Sequence, residues 1–305
     1  MRSIRLPGKL AHTLSTILTL LLTVMLLLTC LTWQLHRVAT DSNLHEGIAT
    51  DSRIQAMQME RIEARVEELA QEHHFRKETA MQFITAQTLA DYNREATGWW
   101  MGLLGEEPEV EAPEWDVSEI EAAVREDALF QENTSANMRR STARDLVAYE
   151  IGLAARKAVL PVRADILAII MPKVLEKVDV PTLMNYLALA PKLCGGASVA
   201  LALAILLVML KRISKAGLYI GAGMAAAALC IVGVGGVVHL LGIPGMIAEI
   251  STLLAAQVSL LTKQVALQAG LFAAVCLVIG LVLIGLHQMD MRRLCRRRKV
   301  VAGDK

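Results

Sequence analysis

Histidine beside carboxylate is the first place to look for chemistry in this chain, because imidazole and carboxylate together can hold a metal ion or relay a proton. Glu72, His73 and His74 are contiguous, and His45 precedes Glu46. Neither group has a second ligand pair at metal spacing, and no HExxH helix is present. The adjacent carboxylates Glu67 and Glu68 belong to the kind of solvated face that a charged helix presents. No glycine-rich phosphate loop follows a strand, and no serine or cysteine stands in a recognisable nucleophile motif. The expectation is a non-enzymatic protein with no catalytic residue, no metal site and no cofactor.

The residues that do stand out are suited to contact. Trp99 and Trp100 open the run Trp-Trp-Met-Gly-Leu-Leu-Gly, and two adjacent tryptophans cannot both face one narrow helix stripe. A surface patch touching a membrane leaflet or a partner is one reading, since tryptophan suits both kinds of interface. A turn folded into the local core is the other.

The elements that must position these residues follow from charge. Lys and Arg set against Asp and Glu give +3 over residues 1–9, −10 over 34–192, +3 over 211–215, 0 over 243–269 and +5 over 288–305. Four long uncharged stretches separate these blocks. About 20 apolar helical residues cross roughly 30 Å of hydrocarbon, so each stretch is long enough to span a bilayer. The spans are expected at 14–33, 193–210, 217–241 and 269–286, making an all-α four-pass bundle with a large helical extracytoplasmic domain between the first and second. A cleaved signal peptide is the competing reading of the first stretch, but its apolar run is long and no small-x-small pattern precedes Trp33.

Orientation comes from cations close to span ends. Arg2, Arg5 and Lys9 precede the first span, Lys211, Arg212 and Lys215 separate the second and third, and Arg292, Arg293, Arg296, Arg297, Arg298 and Lys299 follow the fourth. An even number of spans places all three clusters on one side, taken here as the cytoplasm, so that residues 1–13, 211–216 and 287–305 are cytoplasmic and 34–192 lie outside. The basic tail is expected to anchor topology or to bind lipid headgroups. A bacterial plasma membrane is the expected location, from the style of the composition. Cys30, Cys194, Cys230 and Cys276 lie in or beside spans and Cys295 in the tail, so the outer domain is expected to be held by packing and not by disulfides.

The outer segment reads as helical. No proline interrupts Lys9 to Glu107, so the first span has the sequence to continue outward as a long helix with at most local breaks at Gly47 and Gly98. Ile48, Ser52, Gln55, Met59, Ile62, Val66 and Leu69 form a seam at alternating four and three spacing. It is expected to pack within its own domain, a dimerisation stalk being the weaker alternative. An acidic proline linker is expected near 106–116. A capping box at Ser118 and Glu121 predicts a helix to about Glu132, and further helices follow over 136–158 and 162–171 and after Asp179. Pro172 and Pro191 punctuate the approach to the second span. The domain is expected to have a stalk-like front half and a compact back half.

Inside the membrane, Gly217, Gly221 and Ala225 recur every four residues, as do Gly223 and Ala227. Such a stripe lets helix backbones approach closely, because packing must supply what hydrophobicity cannot inside lipid. Packing within the chain is expected, a homo-oligomer through the same face being the alternative. Residues 242–268 read as an outer amphipathic helix, lying on the membrane or packing down on the outer domain; the second choice suits its low charge better.

The order of one span, a large outer domain and three further spans resembles the four-pass permease-like subunits of ABC systems, which transmit force across the membrane. That resemblance implies a transport-complex subunit with an ATPase partner. The helical reading of the outer segment departs from the β-containing outer domains of those subunits, and all four spans lack the ionisable groups that ion-coupled carriers hold. A membrane scaffold or sensor whose outer residues 34–192 engage a protein or envelope partner is therefore the leading expectation. The bilayer is the other expected partner; nucleic acid is not.

Overall fold

Aspartate side chains, not glycines, decide where the helices after the first span stop and start. Helix α1 covers Gly8–Thr40, α2 Ser42–Ala49 and α3 Ser52–His73. At the α1/α2 junction the Asp41 carboxylate accepts the Leu44 amide at 3.2 Å, and at the α2/α3 junction Asp51 accepts the Arg53 amide at 3.0 Å. A side chain that takes up orphan amides stabilises a new helix start as well as a continued helix would. Gly47 and Gly98 sit inside helices, so the local breaks allowed for at them occur elsewhere. Helix α3 ends at His74, whose φ of 56° lies in the left-handed region and whose amide returns to the Ala70 carbonyl.

The computed structural model describes residues 8–104, 113, 115–134, 147, 149–153, 179–241, 243–248 and 251–303. Among them the chain is all-helical, with four helices long and apolar enough to cross a membrane and a helical region between the first and second. Two compact units result, one of residues 1–37, 185–242 and 262–305, the other of residues 38–184 and 243–261. Most of the linker expected near 106–116 lies outside the described residues. So do Arg2, Arg5, the helix expected over 162–171 and Pro172.

The second unit contains α2, α3, α4 (Lys77–Met81), α5 (Ala86–Leu104), α6 (Ser118–Glu126) and α7 (Ala128–Thr134). Its main core joins Ile62, Val66 and Leu69 of α3 to Phe75, Ala80, Ile84, Leu89, Tyr92, Ile120, Val124 and Phe130, together with Val147 and Ile151. The front half is thus part of a packed core and not a stalk. On α3 the buried positions are Ile54, Gln58, Ile62, Val66, Leu69 and Ala70, while Ser52 is exposed. Their spacing follows the period of a straight helix, so the N-terminal part of the expected coiled-coil seam turns away from the core. Trp115 tilts against Tyr92 with ring centroids 5.1 Å apart.

Two polar constellations sit inside this unit. The amides of Gln58 and Asn93, both fully buried, bond each other at 2.9 and 3.3 Å, and Asn93 also donates to the Ala49 carbonyl at 2.9 Å. Together they fasten α2, α3 and α5 with little donor capacity wasted. Asp127 has a fully buried side chain. Its Oδ2 accepts from Thr79 Oγ1 at 2.6 Å and Arg76 Nε at 3.1 Å, and its Oδ1 from the Leu129 amide at 3.0 Å. Burial opposes ionisation of this carboxyl, but the bonds from Thr79, Arg76 and Phe130 outweigh it and hold its pKa below the ordinary carboxylate value. Asp127 adopts an extended backbone, ending α6 and capping α7, so the single helix expected from Ser118 to Glu132 is two. Ser118 is itself the first helical residue, its amide bonded to Asp116 at 3.0 Å.

The remaining helices are α8 (Val180–Val208), a 3-10 turn Leu210–Arg212, α9 (Ile213–Leu240), the short α10 (Ile243–Ala248) and α11 (Thr252–Gly303). Helix α8 opens on Asp179, which accepts from Thr182, and runs through Pro191 without ending there. Proline removes one donor and one carbonyl's partner, and the helix continues across that loss. Helix α11 is a single 52-residue helix, with no interruption near 269 where the fourth span was expected to begin. No proline lies within it, and Gly270 alone costs a helix only about 1 kcal/mol. Its first turns belong to the second unit, where Leu253 and Ala256 bury against Ile54 of α3.

Candidate functional site

Helix α9 touches each of the other three long apolar helices, and its small residues determine how. Gly217, Gly221 and Ala225 share the face toward α11. A Cβ placed on Gly221 would lie 2.6 Å from the Gly280 carbonyl oxygen, and one on Gly280 would lie 2.7 Å from the Gly221 oxygen and 3.1 Å from the Ala225 nitrogen. At Gly217 the nearest atom to such a Cβ would be the Leu283 oxygen at 3.6 Å. The two backbones therefore meet at Gly221 and Gly280, each carbonyl facing the other's α-hydrogens, a recurring weak hydrogen bond at helix crossings. Ala228, Ala273 and Cys276 continue the contact further along.

A second face of α9 meets α1. Gly223 lies against Thr19 and Leu22, where a Cβ would approach to 3.3 Å. The Thr19 and Thr23 hydroxyls, each already bonded to its own helix, reach the Tyr219 and Gly223 carbonyls at 3.4 and 3.2 Å. Such shared hydroxyl bonds tie helices together where water is absent. Leu22 of α1, Ile205 of α8, Met209 just before the 3-10 turn and Ala216 of α9 close the same layer. Because α1 is packed against α9 through these residues, its removal as a signal peptide would strip a face of the bundle. By contrast Gly233, Gly235 and Gly236 have no atom within 4 Å of where a Cβ would stand.

One end of the bundle gathers five cations that have no ion pair among the described residues. His12 of α1 and Tyr219 of α9 bond at 3.0 Å, and His287 of α11 and Ser214 of α9 at 3.4 Å, so the start of α1, the start of α9 and the end of the apolar part of α11 lie together. Lys9, Arg212, Lys215, Arg292 and Arg293 flank these pairs. Arg296, Arg297, Arg298 and Lys299 occupy the next turns of α11, which stays helical to Gly303. Trp99 and Trp100 belong to the other unit, in the last turns of α5, where Trp99 is partly buried. The small-residue face and the basic cluster thus belong to one unit and the tryptophans to the other.

No protein-family model, no curated protein and no solved structure matches the chain. Among the described residues no group of three or more His, Cys, Asp and Glu side chains could hold a metal ion.

Several residues central to these contacts carried no signal in the sequence reading. Gly280 lies 59 positions from Gly221 with no repeat to point at it. Thr19 and Thr23 have a four-residue spacing that marks one helix face and could have flagged an interhelical contact. The polar pairs His12–Tyr219 and Ser214–His287 join residues more than 70 positions apart, beyond the reach of any local pattern.

Proposed function

We propose that this multi-pass membrane protein is a non-enzymatic scaffold or sensor whose helical domain, on the outer face of a plasma membrane, engages a protein or envelope partner, with both chain ends in the cytoplasm. The observation that carries the reading is α11. One unbroken helix of 52 residues, about 78 Å at 1.5 Å per residue, has its first turns in the domain's packing and its last turns in the basic tail. A bilayer core needs only about 30 Å of it. Helical continuity of this kind suits a protein that reports or braces across a membrane.

Trp99 and Trp100 are the proposed contact residues on the domain. Replacing both by alanine should reduce recovery of a cross-linked partner from intact membranes several-fold, leaving abundance and thermal unfolding of the chain unchanged. Unchanged recovery, or loss of the fold, removes the pair from that role. The order of spans also suits a transport-complex subunit, for which an ATPase co-purifying at near-stoichiometric yield and flux that depends on this chain are the required results. Reconstituted chain with neither counts against it.

A further inference from the structure

We infer that the end of the bundle formed by the starts of α1 and α9 and the end of α11 is a binding surface for anionic phospholipid headgroups. Lys9, Arg212, Lys215, Arg292 and Arg293 come from three separate stretches of chain and are brought to one end by the His12–Tyr219 and Ser214–His287 bonds. None of these five cations forms an ion pair among the described residues; in the other unit Arg65, Arg76, Lys77, Arg94 and Arg125 are paired with carboxylates, while Arg53 and Arg61 are not. Asp290 is the one acid described at this end. Cations left without protein partners beside the apolar surface of a membrane helix bundle need counter-charges at headgroup level, and lipid phosphates supply them.

The two polar pairs strengthen the choice of a lipid. They lie within about a turn of the cations, where the apolar run gives way to charge, so that an acyl chain along the bundle would bring its phosphate to Lys9, Lys215 or Arg212. Arg292 and Arg293, both exposed, extend the surface along α11. Lipid is favoured over a soluble anion because these residues adjoin exposed apolar side chains, Leu10 and Leu286 among them. This inference rests on the membrane reading and not on what the other unit engages.

The test uses the full chain purified in mild detergent, delipidated, and offered phosphatidylglycerol and phosphatidylcholine of identical acyl chains in equal amount at low salt. Bound lipids are counted by native mass spectrometry. The wild type should retain phosphatidylglycerol over phosphatidylcholine by about tenfold or more, and the preference should collapse in 0.5 M salt. The quadruple variant Arg212→Gln, Lys215→Gln, Arg292→Gln, Arg293→Gln should lose most of the preference, while Arg212→Lys, Arg292→Lys, Arg293→Lys keeps it. Equal retention of the two lipids by the wild type, a preference that survives high salt, or a neutralised but folded variant that keeps it would overturn the proposal. If the neutralised chain fails to fold, the salt series on the wild type decides.

Discussion

Gly221→Leu should drive α9 and α11 apart. Even the first carbon of any side chain at this position would stand 2.6 Å from the Gly280 carbonyl oxygen, which belongs to backbone and has no rotamer to escape into. Gly280→Leu meets the same wall from the other side, 2.7 Å from the Gly221 oxygen. Overpacking of this kind costs about 1–3 kcal/mol where neighbours can yield and more where they are backbone. The separation would also break the contacts of Ala228 with Ala273 and Cys276. The matched control is Gly236→Ala, where nothing lies within 4 Å. It should be neutral or raise stability by about 0.5–1 kcal/mol through helix propensity. Thermal unfolding in detergent and cross-linking between cysteines placed on α9 and α11 would separate the two outcomes. Equal tolerance of Gly221→Leu and Gly236→Ala would mean that the crossing does not exist.

Asp127→Ala should destabilise the chain by about 2 kcal/mol, because it takes the acceptor from the part-buried Thr79 hydroxyl and Leu129 amide and removes a helix cap. Arg76 is more than half exposed and can turn to water, which limits the loss. Asp127→Asn keeps the shape and removes the charge. Since the folded carboxyl titrates below its unfolded value of about 3.9, its contribution is complete above that value and is lost as pH falls through the lower folded one. The advantage of wild type over Asp127→Asn should therefore be full at pH 7 and shrink steadily below about pH 4. A gap unchanged over that range would show that the charge does not matter and only the cap does.

These two sites show how differently the parts of the molecule were written into the sequence. The four apolar helices were legible because a span is a local property: an uncharged run either reaches the required length or does not. Gly221 was visible as one member of a four-residue repeat, but its contact with Gly280 depends on where another helix lies. Asp127 looked like one more charged residue of a helix from Ser118, because nothing local distinguishes a solvated aspartate from one that a distant Thr79 and Arg76 enclose. The same limit explains Asp41 and Asp51, which interrupt a run free of proline by offering backbone amides a side-chain oxygen. It also explains α3, where a heptad count fitted to Ser52 and Gln55 gave way to the buried positions Ile54 and Gln58 once α5 supplied Asn93 as a partner.

The central claim is that four helices cross a membrane and leave the domain of α2 to α7 opposite the α8/α9 turn. Single cysteines at Ser118 and Ile213, both exposed, test it in a chain otherwise free of cysteine. A membrane-impermeant maleimide applied to intact cells should label Ser118→Cys directly and Ile213→Cys only after permeabilisation. Labelling of both from the same side would contradict the account, since the helix between those two positions would then not cross the membrane.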